Sequence, residues 1–269
     1  MEKITIVGLG AWGKKISSII SASGCYEVEE ISSRDLLEKN TLIYRPDNIV
    51  WVTSPPTYQK QISKLIKFKS IIFEKPFLST HFEYEKWKSD IPQNSFVSLP
   101  WNYSQIWTEN YPIFLSSQKI NIEIQRFGPI SRPYMSPISD WLPHDLGLIN
   151  QISILQDIKI LEEIKLDQNV GKLKLLLNSN LTITWEGGFS TEKIGSWKIS
   201  SPDGEKYLDF IKMESVDNNY KSIPTKRKYT DNPVLTMLSQ FTLIDSVSEM
   251  FKNFLFYERI FKPKSEALD

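Results

Sequence analysis

The chain has 269 residues, 41% hydrophobic and 12% aromatic, with 32 basic residues set against 32 acidic ones. That is apolar matter enough for one large domain or two small ones, and a neutral balance lacks the general attraction for phosphate backbone that a nucleic-acid binder needs. Cys25 is the only cysteine, which excludes an internal disulfide and fits a reducing compartment. No apolar run reaches the roughly 20 residues of a membrane span, and the first strand begins too early to leave room for a signal peptide. The expectation is a cytoplasmic protein with a small-molecule partner, and with neither nucleic acid nor membrane.

Residues 3–7 alternate β-branched and polar side chains and then turn apolar, as a strand entering a sheet does. Gly8-Leu9-Gly10-Ala11-Trp12-Gly13 follows at once, and residues 14–20 read as an amphipathic helix. Strand, G-x-G-x-x-G and helix together cradle a dinucleotide. Gly8 allows the sharp turn, Gly10 the close approach of the pyrophosphate, and Gly13 tight packing of helix on strand, with the helix N-terminus facing the phosphates.

Residues 26–31 form a second strand, ending at Ser32-Ser33-Arg34. An acid at this tip holds a ribose 2′-hydroxyl, whereas an arginine accepts a 2′-phosphate. Ser33 and Arg34 stand there with no acid in register, which favours NADP over NAD; Glu30 and Asp35 are close enough that a register error reverses the preference. A short helix over 35–40 and a short strand over 41–44 come next, then a buried strand over 48–53 broken by Ser54-Pro55-Pro56. A helix over 57–68, a strand over 70–73 ending in Glu74-Lys75-Pro76, a charged helix over 81–89 and a strand over 95–99 complete the alternation. Strands alternating with helices predict a doubly wound parallel sheet, whose ligands bind beyond the carboxyl ends of the strands. Ser54-Pro55-Pro56, Glu74-Lys75-Pro76 and Pro100-Trp101-Asn102-Tyr103 all fall at such ends.

The texture changes at residue 119. Residues 119–127 alternate, a Pro- and Ser-rich loop runs to 139, and 140–155 is helical. Strands are predicted over 158–166, 172–177, 181–185, 196–200 and 206–211, as an antiparallel sheet with one face solvated. The run Lys226-Arg227-Lys228 reads as a solvated loop, and a last helix runs over 233–253. The expected organisation is an α/β chain with a Rossmann domain over 1–118 and a second domain over 119–269, its final helix able to pack back on the first.

Several motifs then match one family. The chain resembles the Gfo/Idh/MocA oxidoreductases, relatives of glucose–fructose oxidoreductase and inositol dehydrogenase. The glycine turn over 8–13 matches the family's nucleotide turn, Thr53-Ser54-Pro55-Pro56 is similar to its Thr-Pro-Pro element, and Glu74-Lys75-Pro76 matches its signature tripeptide. Asp140-Trp141-Leu142-Pro143-His144-Asp145 resembles its Asp-x-x-x-His helix. The resemblance implies a C-terminal α/β domain with an open-faced, mainly antiparallel sheet, through which relatives often form homodimers or larger homo-oligomers. It also implies a hydride transfer between NAD(P) and the carbinol or carbonyl carbon of a sugar, sugar derivative or polyol, with Lys75 catalytic or substrate-orienting.

The residues themselves fit that chemistry, because moving a hydride at a carbinol carbon requires moving a proton on its oxygen. Lys75 would hold the oxygen and shuttle the proton, unless it is spent on an ion pair with Glu74. His144 would be the general acid/base, held by Asp140 four residues before it on the same helical face; the alternatives are a structural histidine and an N-cap aspartate with Pro143 in the first turn. Asn102 and Tyr103 are substrate-side candidates. Trp12 lies against the nicotinamide or packs helix on sheet, and His81 is a surface residue. The cofactor set is Gly8, Gly10, Ala11, Trp12, Gly13, Ser33, Arg34, Thr53, Ser54, Pro55, Glu74 and Lys75, with no metal. Departures lie on the substrate side: Gln59 replaces a frequent histidine, Ser136-Pro137-Ile138-Ser139 replaces glycines, and Leu142, Pro143 and Gly147 are unlike most relatives. An imine or bilin-type reductase and a non-catalytic NAD(P)-binding regulator are the rival readings.

Overall fold

The computed structural model describes residues 1–40, 42–54, 58–59, 61–62, 66–75, 95–112, 119–129, 137–152, 159–166, 170–177 and 180–240. Two compact units account for them: one comprises Met1–Leu99 with the segment from Val234 onward, the other Pro100–Pro233.

In the first unit, β1 (Glu2–Val7), β2 (Tyr26–Ile31), β3 (Ile43–Val52), β4 (Ile66–Phe73) and β5 (Ser95–Val97) form a parallel sheet of order β2-β1-β3-β4-β5. Helix α1 (Ala11–Ser23) follows the glycine turn and ends at Gly24 in a left-handed conformation, which glycine adopts without strain. Helix α2 (Ser33–Lys39) is capped by Ser32, whose hydroxyl accepts from the Asp35 N–H. Buried Ile4, Ile6, Val7, Val50, Trp51, Val52, Ile71, Ile72 and Phe73 form the centre of the sheet. Apolar side chains on both faces are what a parallel sheet with helices on each side requires.

Two expectations here are corrected. The strands read over 41–44 and 48–53 are one strand, β3, whose pairing with β4 shifts between Arg45 and Ile49. Pro46, with no N–H to offer, falls within that irregularity, where a ladder tolerates it. The helix read over 57–68 gives way earlier than expected: residues 58–59 and 61–62 are helical, but Ile66, Lys67 and Phe68 pair with Ile43, Tyr44 and Arg45 as the start of β4. Tertiary pairing overrides a local helical pattern there. The helix read over 81–89, with His81, and residues Pro55, Pro56 and Pro76 lie outside the described residues.

In the second unit, a 3₁₀ turn over Pro100–Tyr103 leads into α3 (Gln105–Asn110), which sequence patterning did not disclose. The sheet contains β6 (Ile120–Gly128), β7 (Lys159–Leu166), β8 (Val170–Leu177), β9 (Leu181–Phe189), β10 (Ile194–Ser201), β11 (Gly204–Asp209), β12 (Glu214–Asn219) and β13 (Thr225–Lys228). Its order is β13-β12-β11-β10-β6-β9-β8-β7, antiparallel except for the β6–β9 pair. Alternation along β6, with Ile120, Ile122 and Ile124 buried and Asn121, Glu123 and Gln125 exposed, turns one face inward and one toward solvent. Strands β12 and β13 were not expected. The basic run 226–228 is exposed as foreseen but forms the edge strand β13 rather than a loop, and lysine on an edge discourages further strand pairing.

Helix α4 (Pro137–Ile152) packs on β6, β8 and β9 and on the 3₁₀ turn. It begins three residues before the expected Asp140, so Asp140 lies within its first turn rather than at the N-cap, and Pro143 lies inside the helix. An acid there complements the positive end of the helix dipole. Helix α5 (Pro233–Gln240) ends the described chain.

Candidate functional site

In the first unit, one group of candidate residues is built on the β1–α1 turn. Gly8 has φ +108°, a conformation that side chains rarely adopt, and its N–H donates to the Ile31 carbonyl at 2.9 Å. Gly13 presses against the turn: a Cβ there would sit 1.8 Å from the Gly8 carbonyl oxygen. Thr53 at the end of β3 donates its hydroxyl to the Gly8 carbonyl at 2.5 Å, and Ser54 donates to the Val7 carbonyl at 3.3 Å. The hydroxyls of Ser33 and Ser54 share a hydrogen bond of 2.5 Å. Ser33, Thr53 and Ser54, read from the sequence as cofactor-side residues, thus lie together around Gly8.

Gly10 differs from its neighbours. It is the extended residue before α1, its side-chain position offers no cap, and a Cβ placed on it would meet nothing within 4 Å. The first turn of α1 contains no acid. Its opening N–H groups, Ala11, Trp12 and Gly13, precede the first intrahelical bond, from the Lys14 N–H to the Gly10 carbonyl. An uncapped helix start with open space before it is what a pyrophosphate requires, so these residues fit a dinucleotide.

The strand register settles the tip of β2. Val7 pairs with Ile31, which leaves Ser32, Ser33 and exposed Arg34 beyond the sheet. Glu30, the nearby acid, accepts a hydrogen bond from Ser17 of α1. It is thereby engaged within the fold.

At the ends of β3 and β4, Glu74 is buried and its Oε1 accepts from the Trp51 indole N–H at 2.9 Å. Burial pushes the Glu74 carboxyl above its ordinary value; the indole of Trp12, the hydroxyl of Ser98, Trp51 and the charge of Lys75 oppose that rise. The Trp12 N–H and Ser98 hydroxyl face the carboxylate without reaching hydrogen-bond geometry. Trp12 itself is half-buried, with the Lys15 ammonium 5.3 Å from its ring centroid. Lys75 is 7% exposed at the end of β4. Gln59, which the sequence offered only as a departure, is fully buried and its amide donates to the carbonyls of Ser54 at 3.2 Å and Glu74 at 3.0 Å. It ties together the two strand ends that bear the candidate residues. Nothing in local patterning announces such a clamp.

The second unit supplies another group. Asn102 and Tyr103 are buried in the 3₁₀ turn against which α4 packs, and α4 bears buried Asp140 and half-buried His144. Asn102 has an amide oxygen buried with no hydrogen-bond partner among the described residues, an acceptor available to a ligand hydroxyl. Sequence reasoning missed the polar centre beside His144. Asp145 is fully buried and accepts from Arg126, Trp185 and Trp197. No cluster of three or more His, Cys, Asp or Glu side chains suited to a metal occurs among the described residues.

No family model matches the sequence, and no curated protein matches it. Solved structures do match. The UDP-N-acetylglucosamine 3-dehydrogenase GnnA from Acidithiobacillus ferrooxidans aligns over 95% of each chain at 11% identity with a TM-score of 0.70. KijD10, a 3-ketoreductase from Actinomadura kijaniata in complex with TDP-benzene and NADP, aligns over 98% of this chain and 92% of its own at 9% identity, with a TM-score of 0.64. A Gfo/Idh/MocA family oxidoreductase from Vibrio cholerae aligns over 96% and 95% at 10% identity with a TM-score of 0.62. The chain therefore has the two-part fold of Gfo/Idh/MocA-type dehydrogenases, as the motifs implied.

Proposed function

We propose that the protein is an NADP-preferring oxidoreductase that moves a hydride between the nicotinamide and a carbinol or carbonyl carbon of a sugar, sugar derivative or polyol. The observation that carries this reading is the uncapped start of α1 with open space at Gly10. The fold shared with a UDP-sugar 3-dehydrogenase and a 3-ketoreductase bound to NADP supports the substrate class.

When bound, NADP(H) supplies or accepts the hydride. The chain binds the pyrophosphate through the N–H groups of Ala11, Trp12 and Gly13, and Thr53, Ser54 and Ser33 hold the turn in shape. Arg34, exposed at the β2 tip with Glu30 committed to Ser17, pairs with a 2′-phosphate. At the substrate oxygen, oxidation to a carbonyl releases one proton as the hydride leaves the adjoining carbon, and reduction consumes one. Lys75 holds that oxygen and exchanges the proton; His144, oriented by Asp140, is the second acid/base group. Asn102 accepts from a substrate hydroxyl, and Tyr103 and Asn102 shape the substrate side. A homodimer or larger homo-oligomer through the outer face of the second sheet, in a cytoplasmic setting, completes the reading. Among the described residues, no helix is long and apolar enough to cross a membrane.

The experiment follows the loss of reduced-nicotinamide absorbance across a panel of nucleotide-linked keto sugars, free keto sugars and cyclic imines. Turnover on a keto sugar, abolished by Lys75→Ala with NADPH affinity nearly intact, is the expected outcome; comparable turnover in the variant refutes the role of Lys75. Turnover on imines alone favours an imine reductase, and NADPH binding without oxidation anywhere favours a regulator. Titration should give NADPH at least about tenfold tighter than NADH, a difference of roughly 1.4 kcal/mol, and Arg34→Ala should erase it. Equal affinities in the parent protein defeat the cofactor assignment.

A further inference from the structure

We infer that Asp145 is a positioning residue for His144, an inference that rests on the acid/base role proposed above. The Asp145 carboxylate is fully buried, and both its oxygens are saturated. Arg126 on β6 donates through Nε to Oδ2 at 3.0 Å and through Nη2 to Oδ1. Trp185 on β9 donates to Oδ2 and Trp197 on β10 to Oδ1, each at 2.9 Å. Four N–H groups from three adjacent strands thus converge on one side chain of α4, the capacity of a carboxylate's in-plane lone pairs.

The surrounding sheet is shaped to permit this. A Cβ on Gly187 would lie 2.4 Å from the Trp185 ring, and one on Gly195 would lie 2.5 Å from Arg126 Nη1. Leu142, Leu146 and Ile149 bury the same side of α4, but apolar packing is non-directional and lets a helix slide or roll. A carboxylate with four fixed donors does neither. Residue 144 stands about 100° round the helix from residue 145, so the clamp fixes the direction in which the imidazole leaves α4, and that of Asp140 one turn earlier. An apolar trio of similar volume would give the core equal or better stability. The ionic centre therefore contributes orientation more than strength.

The chain has only two histidines, His81 and His144. A His81→Gln background leaves one imidazole, whose ring ¹⁵N shifts report tautomer and titration midpoint without any turnover. Trp185→Phe and Trp197→Phe each delete one donor and keep a ring; Arg126→Met with Asp145→Leu removes both charges and leaves no lone buried ion. Each variant that melts cooperatively and binds NADPH within about twofold of the parent is informative. The expected result is an altered His144 tautomer ratio and a midpoint moved by about half a pH unit or more. On any keto sugar turned over by the parent, kcat falls by about tenfold while the KM for NADPH is unchanged. Folded variants whose His144 signals coincide with the parent's overturn the inference. Because the shifts need no substrate, a protein that transfers no hydride defeats the proposed function alone and leaves this result to stand or fall separately.

Discussion

Glu74 gathers much of the first unit's physics in one side chain. Its carboxyl is buried beside Trp51, Trp12 and Ser98, and burial outweighs their dipoles and the charge of Lys75, leaving the folded pKa above the ordinary 4.5. Below pH 4.5 the group is protonated in both folded and unfolded chains, and the native state bears no penalty. As pH rises through the folded value, the native state must hold a buried carboxylate, and that stability is lost. Glu74→Gln keeps an acceptor for Trp51 and cannot ionise. Its melting temperature relative to the parent should therefore climb between pH 4.5 and neutrality. A difference that stays constant with pH rules out the buried titration. Glu74 was legible as a strand-end residue of the candidate site, but its burial was not. The partners that bury it come from β3, α1 and the segment after β5, so no window of sequence around residue 74 contains them.

Among elements, the β1–α1 turn offers two glycines with opposite demands. Gly13→Ala drives a methyl into the Gly8 carbonyl and the Thr53 hydroxyl; overpacking of this kind should destabilise by about 3 kcal/mol in urea melts. Gly10→Ala meets nothing within 4 Å in an extended conformation that alanine adopts freely. Its stability should match the parent's within about 0.5 kcal/mol, while NADPH affinity falls tenfold or more if the open space belongs to the pyrophosphate. Unchanged affinity would refute that use of the space. Helix α4 and strands β3 and β4 teach a different lesson. Each was present in the sequence pattern, yet its ends moved, because Pro143 is accommodated inside α4 and residues 66–68 join the ladder with β3.

For the whole molecule, the proposed association of copies uses the outer face of the second sheet. That face presents Asn121, Glu123 and Gln125 on β6, and ion pairs such as Lys198–Glu205 at 2.7 Å and Lys226–Glu214 at 2.7 Å. These pairs lie within one chain, but the same charged side chains would meet a second copy across the proposed interface, and such contacts are screened by salt. Light scattering should accordingly find an assembly at low ionic strength that loses mass as salt is raised; a single monomeric mass at every salt concentration removes the proposed oligomer. NADPH at about a hundredfold excess over its Kd should raise stability by about 2.7 kcal/mol through linkage alone, seen as a concentration-dependent melting temperature.

The sequence by itself determined the glycine turn, the parallel alternation around it, the strand-end positions of Ser54, Glu74 and Lys75, and the shared helical face of Asp140 and His144. Those features follow from backbone sterics and from periodicities that act over a few residues. The Gln59 clamp, the enclosure of Glu74, strand β12 with the edge strand β13 beside it, and the saturation of Asp145 by donors 19, 40 and 52 residues away came only with the tertiary fold. A buried polar group must be matched by whatever the fold brings to it, and that match is written across strands rather than along the chain.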